Sequence, residues 1–111
     1  MVASAPGRGD FVAVSFDPQS GREQQGRRPA LVISKEAFNR RTGLCIACPV
    51  TNALREHPLH VAIPTGASVS GVVMVEQGKS IAYRARGLRR VGPATEPVLD
   101  EVLALRDACL Y

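Results

Sequence analysis

The sequence predicts a mainly β domain of the α+β class, a small curled antiparallel sheet completed by one C-terminal helix. Three observations point there. Short apolar runs recur along the chain, each bounded by glycine, proline or polar residues, as half-buried strands are. Only the last segment carries an apolar stripe at helical spacing. The 111 residues suffice for one hydrophobic core and not for two, so strands and helix share a single domain, 1–111.

Residues 1–8 show no apolar pattern and read as a loose arm. Phe11–Phe16 alternates as a strand that buries Val12, Val14 and Phe16 on one side. After a long polar segment, Pro29 can open the next strand, Ala30–Ser34, because a first strand residue tolerates a missing N–H. Ser34 is placed to cap a short helical turn, Lys35–Asn39, with Thr42-Gly43 as the stop. Further strands are expected at Leu44–Cys48, Leu59–Ile63, Gly71–Val75 and Lys79–Arg84, with a weaker one at Leu88–Val91. Thr95 suits the N-cap of the final helix and Pro97 its first turn. Val98, Val102, Leu105 and Cys109, flanked by Leu99, Leu103 and Leu110, then form the stripe that packs on the sheet.

Composition narrows the setting. Apolar residues make up 45% and charged residues 22%, the balance of a globular domain. The longest apolar run, Leu44–Val50, falls far short of the roughly 18 residues that suggest a membrane span. Met1–Arg8 lacks the apolar stretch of a secretory signal, so a cytoplasmic location with no membrane contact is expected. Net charge is +4, but unevenly spread. From Glu96 onward four acids face only Arg106, a balance of −3, so the preceding residues sum to +7. Twelve of the fourteen basic residues are arginine, which favours bidentate contact with phosphate or carboxylate. Nucleic acid or an acidic protein segment is the partner class this implies, set against solvated surface charge.

Three cysteines, an odd number, do not read as a disulfide framework. Cys45-Ile46-Ala47-Cys48 lies in a strand-like run, where a spacing of three sends the two thiols to opposite faces, into core packing. His57-Pro58-Leu59-His60 offers two imidazoles at a turn leading into a strand, for which a structural role is preferred over catalysis. Neither pair makes a zinc site alone, and no metal or other cofactor is expected.

The most telling segment runs from Phe16 to Ser34. Two strand-like runs are joined there by roughly ten polar residues, where a hairpin needs two to five. Connections of that length are usually functional or disordered. This one delivers Arg27 and Arg28 to the start of a strand, where a rigid backbone can aim them at an anion. Arg28 could grip two phosphate oxygens or form a surface ion pair with Glu23.

The same segment is similar to the signature of the MazF/PemK toxins, ribosome-independent mRNA endoribonucleases of bacterial toxin–antitoxin pairs. Gly9-Asp10 opens the resemblance, and Asp17-Pro18, Gly21, Glu23-Gln24, Gly26 and Arg28-Pro29 follow in order. It continues through Phe38-Asn39, Thr42-Gly43, Pro49-Val50-Thr51, Gln77, Lys79-Ser80-Ile81-Ala82 and Arg84-Ala85-Arg86-Gly87, nearly the whole chain. The resemblance implies an SH3-like barrel with a C-terminal helix. It implies a homodimeric, metal-independent endoribonuclease that cuts single-stranded RNA to a 2′,3′-cyclic phosphate and a 5′-hydroxyl. The partner it implies is an antitoxin with an acidic C-terminal tail.

Arg28 falls on the family's catalytic arginine and Thr51 on an active-site threonine that hydrogen-bonds the phosphate. Glu23 is the third catalytic candidate, as base or as orienter of Arg28. Gln24, Arg27, Asn52, Gln77 and Lys79 are the expected RNA contacts. Many members resemble Asp-Gln at Glu76-Gln77, with that aspartate as base in some branches and an arginine two residues before it. Glu76 and Met74 depart from that version. Two other readings on the same fold are a non-catalytic binding module and a toxin aimed at DNA gyrase; Arg28 and Thr51 argue against the second.

Overall fold

The computed structural model describes residues 5–15, 27–53 and 57–110. Its architecture follows from one strand, β3 (Leu44–Thr51). Along one edge β3 pairs with β2 (Arg27–Val32), setting Ala30 against Pro49, Leu31 against Cys48 and Val32 against Ala47. Its other edge has two partners. Leu44–Ala47 pair with β6 (Lys79–Ala82), and Val50–Thr51 pair with β5 (Val72–Met74). Beyond β2 lie β1 (Asp10–Ser15) and β7 (Arg89–Pro93), and beyond β5 lies β4 (His60–Ala62). Every pairing is antiparallel. The path β4-β5-β3-β2-β1-β7 runs from edge to edge, so the expected barrel is a curled open sheet.

Among the described residues, two helices complete the mainly β fold. Helix α1 (Glu36–Thr42) ends on Gly43, whose left-handed φ of 74° lets its N–H return to the Asn39 carbonyl. Helix α2 (Glu96–Leu110) starts after Thr95, whose carbonyl accepts from Leu99 N–H. No helix is long and apolar enough to cross a membrane among the described residues.

Strand alternation fills two cores. Phe11, Leu31 and Cys48 face one side, where Val61, Val73 and Val75 lie under Val98 and Val102 of α2. Val12, Val14, Ala30, Val32, Cys45 and Ala47 face the other, against Ile81 and Tyr83. Burying each of those two helix valines is worth about 1.5–3 kcal/mol. Cys45 and Cys48 are free, fully buried and on opposite faces, as their spacing implied. Burial raises both thiols to about 11; for Cys48, Arg106 lowers and Glu76 raises it further. Phe16 lies outside the described residues.

Several expectations shift for identifiable reasons. β3 continues through Pro49 to Thr51, because β5 supplies a second partner there. Ser34 does not cap α1. Its hydroxyl donates to Asn39 Oδ1 at 2.6 Å and accepts from Ile46 N–H at 2.8 Å, leaving Lys35 as an N-cap with no side-chain bond. The α2 stripe ends early: Cys109 is exposed and Leu110 is 60% exposed, because the sheet does not reach the last turn. Residues 5–8 are docked rather than loose. Ala5 and Pro6 are buried, Arg8 Nε donates to the Ile33 carbonyl at 2.7 Å, and Arg90 reaches the Ala5 carbonyl.

The buried Asn39 ties these pieces together. Its Nδ2 donates to the Pro6 carbonyl at 2.7 Å and the Ser34 carbonyl at 3.1 Å, and its own carbonyl accepts from Tyr83 Oη–H at 3.0 Å. Asn39→Ala would leave several buried partners unmet at once. Urea unfolding should show a loss of about 3 kcal/mol; a loss below about 1 kcal/mol would mean that water replaces the side chain.

Candidate functional site

Arg28 occupies the second position of β2, exposed and paired across the sheet with Val14. Thr51 is the last, half-buried residue of β3. The β2–β3 ladder covers Ala30–Val32. Arg28 and Thr51 each lie two residues beyond its last pair, Ala30–Pro49, at the same end of these neighbouring strands. The two main sequence candidates therefore lie at the same end of the sheet.

Thr51 is held ready to donate. Its Oγ1 accepts from Ala53 N–H at 3.1 Å, which uses a lone pair and leaves the hydroxyl proton for a ligand. Asn52 is exposed and accepts from Ser70 Oγ–H at 3.3 Å. Beneath them Gly71 adopts a φ of 120°, and any Cβ there would collide with the Thr51 carbonyl oxygen. Glycine at 71 is what lets β5 approach this close to the Thr51–Asn52 turn.

Arg27 is partly buried, and its Nε is buried without a hydrogen-bond partner. Its guanidinium lies on Gly87, where a Cβ would stand 2.9 Å from Nη2 and φ is +63°. Arg86 closes the same corner, donating from Nη1 to the Ser15 carbonyl at 3.2 Å. Arg89 is exposed and opposite Ala13 on β1. Arg86 and Arg89 were not among the sequence candidates, although Arg86 stands in the Arg84–Gly87 motif. Nothing in that motif says that the turn folds back onto Ser15. The concentrated positive charge suits a polyanion.

Gln77 and Lys79 lie apart from this corner. Gln77 ends a 3₁₀ turn, Val75–Gln77, and Lys79 pairs with Ala47. Four strand residues separate Ala47 from Thr51, about 13 Å. Arg106 of α2 braces that turn, with Nη1 3.3 Å from the Gly78 carbonyl. Glu23 and Gln24 lie outside the described residues.

His57, His60 and Glu76 form a second grouping. The imidazoles stack with centroids 4.5 Å apart, and His60 Nε2 meets Glu76 Oε2 at 3.2 Å. The sequence pairs the histidines with each other only; the β4–β5 register, His60 opposite Met74, brings Glu76 to them. Burial acts to raise the Glu76 pKa. Its own backbone hydrogen bond, the His60 hydrogen bond and the nearby imidazole charge outweigh this and leave it below its ordinary value.

That direction fixes a pH dependence. A carboxyl with a lowered folded-state pKa adds stability above its unfolded value of 4.5 and loses it as pH falls through the folded value. The stability difference between the wild type and Glu76→Gln should therefore be full above pH 4.5 and shrink in more acid solution. A difference that grows on acidification in denaturant titrations would contradict the assignment.

The family described as PemK-like, MazF-like toxin of type II toxin–antitoxin systems matches residues 7–106. The Endoribonuclease toxin MazF of Escherichia coli K12 is 39% identical over 99 residues, 89% of this chain and 88% of that protein. The crystal structure of MazF (Form-I) from Deinococcus radiodurans superposes with a TM-score of 0.87 at 41% identity, covering 97% of this chain and 98% of that one. That of MazE-MazF (Form-II) from the same organism gives 0.86 at 36%, covering 97% of each. A shared sheet, a shared helix and a match from Gly7 to Arg106 leave one placement: the chain belongs to the PemK-like, MazF-like family of toxins of type II toxin–antitoxin systems.

Proposed function

We propose that this toxin is an endoribonuclease that cleaves single-stranded RNA at the Arg28–Thr51 corner, leaving a 2′,3′-cyclic phosphate and a 5′-hydroxyl. The observation that supports it is the position of Arg28 and Thr51 at the same end of the adjacent strands β2 and β3, with the Thr51 hydroxyl proton left for a ligand. Relatives about 40% identical over most of the chain bear the endoribonuclease name.

The 2′-hydroxyl loses its proton to a base and its oxygen attacks the adjacent phosphorus. The P–O5′ bond then breaks and the 5′ oxygen takes up a proton. Negative charge peaks on the non-bridging oxygens of the phosphorane. Arg28 can chelate two of them, and Thr51 can donate to one. Arginine stays protonated, so Arg28 serves charge stabilisation rather than base duty. Glu23 is the base candidate in this scheme. Arg27 and Asn52 flank the scissile position, with Gln24 as a further contact. Gln77 and Lys79 hold a more distant nucleotide. The guanidinium and hydroxyl supply the stabilisation a metal would otherwise give, so the reaction is metal-independent.

The working unit in this reading is a cytoplasmic homodimer. Its antitoxin lays an acidic C-terminal tail over the basic corner. A disordered acidic segment gains there by wrapping a surface already suited to RNA phosphates.

Arg28→Ala and Thr51→Ala should each remain folded and lose about 10²–10³ in cleavage rate on a defined single-stranded RNA. Near-wild-type turnover in Arg28→Ala would overturn the mechanism. Cleavage should also persist unchanged in excess EDTA. Activity that disappears with chelator and returns with magnesium would show that the metal-free scheme is mistaken.

A further inference from the structure

The cleavage chemistry leaves the grouping of His57, His60 and Glu76 unused. Their ligand atoms all lie within 4.8 Å of one another. They come from different parts of the chain: a turn, the first residue of β4, and the 3₁₀ turn after β5. Two imidazole nitrogens with one carboxylate oxygen form a borderline donor set. It suits zinc and the late first-row divalent ions, whereas magnesium and calcium favour oxygen alone.

We propose that His57, His60 and Glu76 form a binding site for a divalent transition-metal ion of the zinc class. The ion takes three protein ligands and water, and it pins the 57–60 turn to the 3₁₀ turn that carries Gln77. Bonds of about 2.0–2.1 Å in a tetrahedron put neighbouring ligand atoms about 3.4 Å apart. His60 Nε2 and Glu76 Oε2 already stand at 3.2 Å. The remaining adjustment falls on His57, an exposed residue whose Nδ1 accepts from Leu59 N–H at 3.1 Å and whose ring must turn out of its stack on His60 for both lone pairs to meet one ion. Coordination through His57 Nε2 moves the ring proton to Nδ1 and breaks that bond. The bond is exposed, so water can take over the Leu59 N–H.

His60 is the anchor. Its side chain is 9% exposed, and its Nδ1 is buried without a hydrogen-bond partner. A metal on Nε2 places the ring proton on that Nδ1, where tight zinc sites supply an outer acceptor. Lacking one costs roughly 10–100-fold in affinity. The site is therefore weaker than a zinc site that has such an acceptor.

The test uses the full-length protein, stripped by chelator and titrated with zinc, with magnesium as a control. Zinc should bind one ion per chain and raise the melting temperature, and magnesium should do neither. Cobalt(II) should show the visible bands of a four- or five-coordinate ion without a thiolate charge-transfer band. His57→Ala and Glu76→Gln, both at exposed positions, should each weaken zinc binding at least tenfold; Cys109→Ser should bind as the wild type does. Binding that survives both His57→Ala and Glu76→Gln, or that is lost in Cys109→Ser, would overturn the proposal. So would a folded wild type whose melting is indifferent to zinc. The readouts are binding and melting, so they stand apart from the outcome of the cleavage assays.

Discussion

One edge of β3 divides its backbone hydrogen bonds between two partners, β6 along Leu44–Ala47 and β5 along Val50–Thr51. The change of partner falls around Pro49, which has no N–H to satisfy. Because β5 takes over at Val50, β3 stays ordered as far as Thr51 rather than stopping where the apolar run ends. Because β2 pairs along the opposite edge, Arg28 lies at the same end of the sheet. Sheet pairing thus places Arg28 and Thr51 on strand ends rather than on loop tips. Gly71 completes the arrangement, since only a residue without Cβ can bring β5 against the Thr51 carbonyl.

Charge is handled in two ways at this corner. Arg28 is exposed, where solvation costs little and a phosphate can displace water. Arg27 and Arg86 are partly withdrawn, one laid over Gly87 and the other bound to the Ser15 carbonyl. Partly desolvated guanidinium groups attract a phosphate more strongly than fully hydrated ones. They also hold the turn between β6 and β7 against the end of β1, coupling the shape of the basic surface to the sheet. Asn39 does comparable work at the other end, joining Pro6, Ser34 and Tyr83 through buried hydrogen bonds.

Much of this was legible in the sequence because it depends on local periodicity. The strands expected at Phe11–Phe16 and Ala30–Ser34, which are found at Asp10–Ser15 and Arg27–Val32, the opposite faces of Cys45 and Cys48, the glycine stop of α1 and the Thr95 start of α2 all follow from local signals. Arg28 and Thr51 were readable as candidates from motif resemblance. Their location at the same end of neighbouring strands was not, because strand pairing is non-local. The same limit explains the missed groups. Glu76 joins the histidines only through the β4–β5 register, and Ser34 abandons its capping position because Asn39 and Ile46 offer it buried partners. The docking of residues 5–8 was hidden likewise: a polar, proline-bearing start gives no sign of the Arg8, Asn39 and Arg90 side chains that hold its carbonyls and backbone in place.

In the proposed mechanism Arg28 and Thr51, at the same end of β2 and β3, act on one phosphate. A double-mutant cycle on the cleavage step tests this most directly, with Arg28→Ala, Thr51→Ala and the combined variant compared in single-turnover assays on one RNA. Groups that stabilise the same transition-state charge are strongly coupled, so the double variant should lose far less than the product of the two single losses. Losses that simply multiply would place the two side chains on separate steps or separate phosphates, and would contradict the account.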